Sequence, residues 1–550
     1  MAGETGTEPA LDGFVPWPEE VASRYRSSGY WRGRTLAQLS RDWCAAWADR
    51  PALVAGGSSG DAGMNAVWTY AELDARADAI AGVLWRTGVR PQDRVVVHLP
   101  NSPEFVAVLF ALFRIAALPV LALPAHRSSE IRHLVRATAA TAYVIPHDGP
   151  ETEHAAIAHE VAAEAPSLRH VLTAGPAREF VSLTEPSRTE VPWPSAAPSQ
   201  VAFFLLSGGS TGAPKLIPRT HDDYACNIRL STARADLSAS TVYLTTVPLA
   251  HNYGLGCPGI LGTLSVGGTA VCTDDGTPAR AFSLIESHRV THAALVPPLA
   301  TSWLDAAPAS RRDLSSLVLV QVGGQRFDSA NAVRVSGTLG CRLQQSFGMA
   351  EGILCQTGWD DPDELVHTTQ GRPLAEHDEI LIVDAAGRPL PPGEPGQLLV
   401  RGPYTIRGYY RDEDYNRTAF TPDGYLRTGD LAHLRHGRLV VDGRLTDVIN
   451  RGGNKISPGE LEDHLRAHPE VADVVVVSIP DPFLGEQTCV VLRDRPAGNP
   501  DLASLRRFLA ERGVARYKWP DTLRVVGFFP RTAAGKISRA ELRAGLVREV

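Results

Sequence analysis

The chain has 550 residues, of which 44% are hydrophobic and 21% charged, and a formal net charge of -7. Its length leaves room for roughly three to four core-sized units, and its composition fits an ordinary soluble globular protein. The acidic balance supplies no basic footprint, so no nucleic-acid partner is expected.

The first residues are acidic and small polar, without the charged stretch and apolar core of a secretory signal. Cys44, Cys226, Cys257, Cys272, Cys341, Cys355 and Cys489 include no C-x-x-C pair, which reads as reduced thiols in a cytoplasmic enzyme rather than a disulfide frame or zinc site. From about Leu36 to Val440, helical stretches alternate with short apolar runs such as Arg94 to Leu99, Ala293 to Val296 and Leu317 to Val322. Runs of that kind suit parallel strands covered on both faces. Phe105 to Leu123 is almost long and apolar enough to span a bilayer, but Arg114 and Pro119 interrupt it. Ser102 as N-cap and Pro103 at the first helical position predict a buried helix ending near Ala117, then a strand from Val120 to Leu123. No membrane partner is expected.

Pro186 to Ser199 reads as a Pro-rich surface connection. Around Pro422-Asp423-Gly424, His436-Gly437 and Asp442-Gly443 closely spaced turns predict antiparallel hairpins. After Asp447, Ser457-Pro458-Gly459-Glu460 forms a capping box for a helix through Leu465 and His468, followed by a strand over Val471 to Ile479 and a helix over Leu505 to Arg512. The fold class is therefore α/β: a large N-terminal domain of mostly parallel sheets with helices and a small antiparallel β region, then a small α+β domain.

The apolar run Val201 to Leu206 leads into Ser207, Gly208, Gly209, Ser210, Thr211 and Gly212, and Lys215 closes the segment. Glycines let backbone N–H groups approach phosphate oxygens, and hydroxyls with an ammonium add donors and charge. No Gly-Lys-Ser/Thr ends it, so it is not the Walker form, and by itself it fits a phosphate cradle or a flexible surface loop equally well.

Further along stand Phe347-Gly348-Met349-Ala350-Glu351, Tyr425-Leu426-Arg427-Thr428-Gly429-Asp430, Gly443-Arg444 with Asp447, and Pro530-Arg531-Thr532 to Gly535-Lys536. In this order and spacing they resemble the adenylate-forming superfamily of acyl-CoA synthetases, luciferases and peptide-synthesis adenylation domains. The resemblance covers nearly the whole chain. It implies that a carboxylate and ATP give acyl-AMP and pyrophosphate, and that the acyl group then passes to a thiol. It implies an adenylation core at 1–445 and a mobile domain at 446–550 carrying the catalytic Lys536. Residues 207–215 and the 347–351 motif would hold ATP, with Glu351 on Mg²⁺. Asp430 would accept from the ribose hydroxyls, Arg444 would donate nearby, and Gly324 and Ser346 would line the adenine pocket. Thr446 stands at the hinge, where relatives usually carry Asp or Lys, and the loop with Gly452, Gly453 and Lys455 would serve the thiol step.

Pro248 to Tyr253 sits where amino-acid-activating relatives carry an Asp that pairs with the substrate ammonium, and Asn252 is neutral. A buried ammonium wants a counter-charge, which argues against an amino acid. His251, Asn252 and Tyr253 with Cys257-Pro258-Gly259 resemble the stand-alone aryl acid ligases of siderophore and peptide pathways. Asn252 would then bond the ortho-hydroxyl or carboxylate and Tyr253 would face the ring, with Gly324, Ala350 and Leu354 completing the pocket. Enzymes for 2,3-dihydroxybenzoate tend to have Ser at Cys257 and Val at Leu354. A thiol is a weak donor for a 3-hydroxyl, and Leu fills its volume, so salicylate is favoured.

Gly254 and Gly256 stand where relatives are bulkier, which predicts a looser or wider pocket and leaves a methylsalicylate open. The expected acceptor is the phosphopantetheine thiol of an aryl carrier protein supplied in trans. A 2,3-dihydroxybenzoate ligase, an aryl-CoA ligase and, from another class, a nucleotide-binding module or P-loop-like NTPase are the alternatives.

Overall fold

The computed structural model describes residues 11–57, 66–147, 149, 153–185, 190–207, 214–451, 454–481, 484–496, 498–512, 514, 516–532 and 535–548. The short apolar runs pair into two large sheets, as runs buried on both faces must. In the nine-stranded sheet, Pro51–Ala55, Thr269–Cys272, Val242–Thr245, His292–Leu295, Leu319–Gly323 and Arg342–Met349 are neighbours in that order and mutually parallel. The outer strands Val67–Thr69, Gly352–Gln356 and Arg372–Pro373 join antiparallel. The seven-stranded sheet is parallel except for the hairpin of Val201–Leu206 with Leu216–Thr220.

Between the sheets lie the helices Tyr70–Arg86 and Pro103–Arg114, sharing one core with strand residues of both, such as Leu53, Ala270, Val95 and Phe203. The second helix starts as its sequence predicts: Ser102 Oγ accepts from Phe105 N at 3.3 Å. It ends at Arg114, three residues before Ala117, because Ala116 adopts a left-handed φ of 54° and turns the chain into the strand Leu118–Leu121. Arg114, wholly buried, is paired with Asp74 at 2.5 Å and Asp78 at 2.7 Å, which makes the cation tolerable inside a core. Among the described residues no helix is long and apolar enough to cross a membrane.

A four-stranded antiparallel sheet follows, in the order Glu379–Val383, Gly396–Arg401, Leu426–Arg435, Arg438–Arg444. His436 and Gly437 turn its last hairpin with φ of 50° and 71°, the pattern of a two-residue primed turn. Asp442-Gly443 is not a turn. It lies inside the last strand, where the register slips between Leu431 and Ala432, and beyond the bulge Arg444 comes opposite Asp430.

The C-terminal unit is a five-stranded sheet, with Asn454–Ile456, Ile449–Arg451, Gly485–Arg493 and Val474–Asp481 in order and Thr522–Val526 parallel to Gly485–Arg493. The helices Pro458–Arg466, Leu502–Glu511 and Arg539–Arg548 pack on it. The predicted capping box does not form. Ser457 Oγ donates instead to Asp442 O of the antiparallel region at 2.9 Å, and Glu460 pairs with Lys518 at 2.5 Å, so both groups of the box are spent elsewhere. The helix stops at Arg466, before His468. All seven cysteines are free and buried.

Candidate active site

The parallel strands Leu319–Gly323 and Arg342–Met349 place Gly323 beside Ser346, and Gly324 follows in a left-handed conformation with φ 85°. Ser346 Oγ accepts from Gln356 Nε2 at 3.3 Å. Phe347 and Gly348 pair with Cys355 and Leu354 on the return strand, Met349 pairs with Gly352, and the chain turns at Ala350 and Glu351. Two long-range bonds hold that turn: Arg219 Nη1 donates to Ala350 O at 2.9 Å, and Ile406 N to Glu351 O at 2.8 Å. The Glu351 side chain is oriented by Tyr409, whose hydroxyl donates to Oε1 at 2.8 Å.

Asp430 comes from the antiparallel sheet and is 4% exposed. Its Oδ1 accepts from Arg444 Nε at 2.9 Å, while the buried Oδ2 has no partner. Burial pushes this carboxyl above its ordinary range, against the pull of Arg444, Thr428 and Lys536. Lys536 arrives from the C-terminal unit on a turn in which Thr532 N donates to Lys536 O at 2.7 Å and Thr532 Oγ1 accepts from Lys536 N at 3.2 Å. A Cβ built on Gly324 would lie 3.9 Å from Lys536 Cε. Desolvation, then the Arg444 charge, lower the Lys536 ammonium below the usual lysine range, and Asp430 and Glu351 oppose them. His251 belongs to the same cluster. Burial and the Lys536 charge hold its pKa down to about 4, and its Nδ1 accepts from Tyr253 N at 3.2 Å, so it stays neutral.

Tyr253, Cys257 and Leu354 meet in one buried apolar cluster with Tyr243, Cys226 and Ala294. Cys257 is a thiol, its pKa pushed up to about 12 by burial, and Asn227 Nδ2 lies 4.0 Å from its sulfur. Asn252 is committed on both sides of its amide: Oδ1 accepts from Tyr224 Oη at 2.9 Å, and Nδ2 donates to Met349 O at 3.2 Å. The pocket is not widened at Gly254 and Gly256. A Cβ on Gly254 would meet Pro248 O at 2.6 Å, and one on Gly256 would meet Tyr224 Oη at 2.6 Å. The space those glycines free is filled by backbone carbonyl and by a tyrosine, which overturns the looser loop expected from their size.

At the mouth of the 207–215 segment, Ser207 N donates to Lys215 O and Lys215 N to Ser207 Oγ, both at 3.0 Å. Lys215 Nζ stands 4.1 Å over the ring of Tyr415, next to Tyr409. The expected contacts of Gly208, Gly209, Ser210, Thr211 and Gly212, and those of Gly452 and Gly453, lie outside the described residues. Thr446 falls in the 3-10 turn Leu445–Asp447, and Lys455 pairs in register with Asn450.

Four residues that organise the site escaped the sequence reading. Arg219 and Asp223 form a fully buried pair at 2.7 Å, Tyr224 bonds Asn252, and Tyr409 bonds Glu351. The i,i+4 spacing of Arg219 and Asp223 was a usable signal; single tyrosines among thirteen gave none.

Residues 40–410 match the family described as AMP-binding enzyme, and residues 460–536 match its C-terminal domain. A 2,3-dihydroxybenzoate-AMP ligase of Bacillus subtilis is 48% identical, with 98% of each chain covered. A salicyl-AMP ligase / salicyl-S-ArCP synthetase of Mycobacterium tuberculosis is 45% identical over 96% of this chain and 94% of its own. Among solved structures, apo MbtA of Mycobacterium smegmatis is similar with a TM-score of 0.74 and 43% identity, covering 98% of this chain and 99% of that one. With the first family region running through the 347–351 motif and the C-terminal region reaching Lys536, the chain belongs to the AMP-binding enzymes of the adenylate-forming superfamily.

Proposed function

We propose that this chain joins an aryl acid, salicylate before 2,3-dihydroxybenzoate, to AMP and then passes the aryl group to the phosphopantetheine thiol of a carrier protein. The observation that carries the reading is one meeting point. Lys536, Asp430, Glu351 and neutral His251 converge next to the apolar cluster of Tyr253, Cys257 and Leu354.

The difficulty of the first step is that a carboxylate must attack a polyanion. A bond forms between the carboxylate oxygen and the α-phosphorus, the bond to the pyrophosphate oxygen breaks, and no proton need move. The Lys536 ammonium supplies charge at that point inside a partly desolvated site, where it counts for more than in water. The unpartnered Asp430 Oδ2 suits a ribose hydroxyl, which brings the missing donor. Glu351, with one oxygen fixed by Tyr409, would be the carboxylate that holds Mg²⁺ together with phosphate oxygens, since among the described residues no group of three or more His, Cys, Asp or Glu could hold a metal unaided. When bound, that ion neutralises phosphate charge. In the second step the thiol sulfur bonds to the acyl carbon as AMP leaves, and the thiol proton passes to solvent. For that step the 446–550 unit turns about Thr446, withdrawing Lys536 and presenting the loop from Arg451 to Lys455.

The substrate order rests on Cys257 and Leu354. A 3-hydroxyl facing a weakly hydrogen-bonding thiol forfeits roughly 1–3 kcal/mol, about tenfold or more in selection. The 48% identity to a 2,3-dihydroxybenzoate-AMP ligase favours the other acid, so the test compares both. Pyrophosphate exchange is to be measured with salicylate, 2,3-dihydroxybenzoate, benzoate and amino acids. Salicylate should lead; faster exchange with 2,3-dihydroxybenzoate would reverse the order, and exchange with an amino acid alone would refute the acid class. Thioester yield on a carrier protein against free coenzyme A decides the acceptor, and rapid loading of coenzyme A alone would remove the carrier.

A further inference from the structure

The hairpin of Ile449–Arg451 and Asn454–Ile456 has three residues on each side, and a two-stranded ribbon of that kind is marginal by itself in water. Its two ends are held by different means. At the base, Ile449 and Ile456 lie opposite each other, fully buried in the core of the C-terminal unit. At the far end Arg451 faces Asn454, and the neighbouring strand Gly485–Arg493 pairs there through Gly485. The rest of the hold at that end is ionic: Arg451 Nε donates to Asp521 Oδ2 at 2.7 Å and Nη2 to Oδ1 at 2.6 Å. A guanidinium gripped by two parallel bonds has its plane fixed as well as its place. Asp521 is in turn anchored to the sheet. It stands just before the strand Thr522–Val526, its N–H donates to Thr488 O at 2.8 Å, and Oδ2 accepts from Thr488 N at 2.9 Å. Arg506 donates to Pro520 O at 2.8 Å and to Asp521 O at 3.2 Å. The turn that carries Lys536 is built without either member of the pair: Thr532 N donates to Lys536 O at 2.7 Å, Gly535 N to Thr532 O and Ser538 N to Pro530 O, both at 2.8 Å.

We propose, resting on the two-step reading above, that Asp521 is a positioning residue for thiol transfer: it clamps Arg451 and so fixes the hairpin presented to the aryl-AMP, while adenylation through Lys536 does not depend on it. The chemistry of the step is as before. The thiol sulfur bonds to the acyl carbon, the bond from that carbon to the AMP oxygen breaks, and the thiol proton goes to solvent. Asp521 touches none of these atoms. Its effect is on placement, because a hairpin held only at its base can shift by an ångström at its far end, and a misplacement of that size costs up to about a hundredfold in rate. Charge alone does not supply the hold, since a lysine at 451 would keep the attraction to Asp521 and lose the fork.

The test measures the two half-reactions separately in the full chain: pyrophosphate exchange with salicylate, and transfer from preformed salicyl-AMP to an aryl carrier domain loaded with phosphopantetheine and to coenzyme A. The variants are Asp521→Asn, which keeps an oxygen for Thr488 N but turns an amide to Arg451, and Arg451→Lys. Asp521→Asn should leave exchange within about twofold of the wild type and slow transfer by about tenfold or more. Arg451→Lys should slow transfer to a similar extent. Transfer at the wild-type rate in Asp521→Asn overturns the proposal, and so does a parallel fall of exchange and transfer, which would make the pair a support of the fold. A wild type that exchanges yet loads neither acceptor overturns the thiol step of the proposed function, and this inference with it, whereas the outcomes for Asp521→Asn leave that function standing. If Asp521→Asn does not fold, Arg451→Lys decides, and transfer in it at the wild-type rate is the contradicting result.

Discussion

Lys536 and His251 share a small volume and answer it differently, as their ordinary pKa values dictate. His251 gives up its proton, with a pKa of about 4, and leaves the positive charge to Lys536. The Lys536 pKa is itself lowered, chiefly by desolvation and then by Arg444. The adenylating form is the protonated one, so activity falls as pH rises through the folded pKa, which lies below that of an ordinary exposed lysine. Stability runs the other way: between the folded and unfolded pKa the unfolded chain binds more protons, so this lysine's cost to folding shrinks as pH rises. The alkaline limb of kcat/KM for exchange should therefore sit below the ordinary lysine range, and in Arg444→Ala it should move upward. A limb unmoved by Arg444→Ala would show that another group controls it. Lys536→Ala should remove most of the exchange while sparing thioester formation from preformed aryl-AMP; equal loss of both steps would make Lys536 structural. At this scale the sequence spoke clearly where a residue belongs to a motif, as Asp430 and Glu351 do. It was silent on Tyr224 and Tyr409, whose roles arise from contacts 28 and 58 residues away along the chain.

Among the elements, the strand Leu216–Thr220 and the helix His221–Arg234 are joined by a buried ion pair. Arg219 and Asp223 are both fully buried, and Arg219 also donates to Ala350 O and to Tyr404 O at 3.1 Å. Removing one member of such a pair strands the other in a medium that cannot solvate it. Arg219→Ala should cost roughly 3–5 kcal/mol, read from the urea midpoint, and loosen the 347–351 turn. A loss under about 1 kcal/mol would place the pair among the screened ones. The buried helix Pro103–Arg114 was legible because cap, proline and apolar run agree locally. The box at Ser457 was misread because a distant acceptor, Asp442 O, outcompeted the local one. Asp442-Gly443 looked like a turn because glycine serves bulges as well as turns.

For the whole molecule, the decisive fact is that a residue 185 positions beyond Glu351 reaches the same site, which no local pattern can foretell; the order of motifs implied it only through resemblance. The placement is held partly by Arg326, which pairs with Asp463 of the C-terminal unit at 2.7 Å, and by the bond from Ser457 to Asp442 O. Both ion-pair partners are about a quarter to a third exposed, so the pair is worth no more than about 1 kcal/mol. Asp463→Ala should then lower exchange by up to about fivefold without slowing thiol transfer from preformed aryl-AMP. A parallel drop in both rates would mean the pair supports the fold instead of the pose. The measurement that bears most directly on the account is labelled pyrophosphate entering ATP with and without salicylate. The expected result is exchange that depends on the acid and is lost in Lys536→Ala; exchange at one rate whether or not an organic acid is added would contradict it.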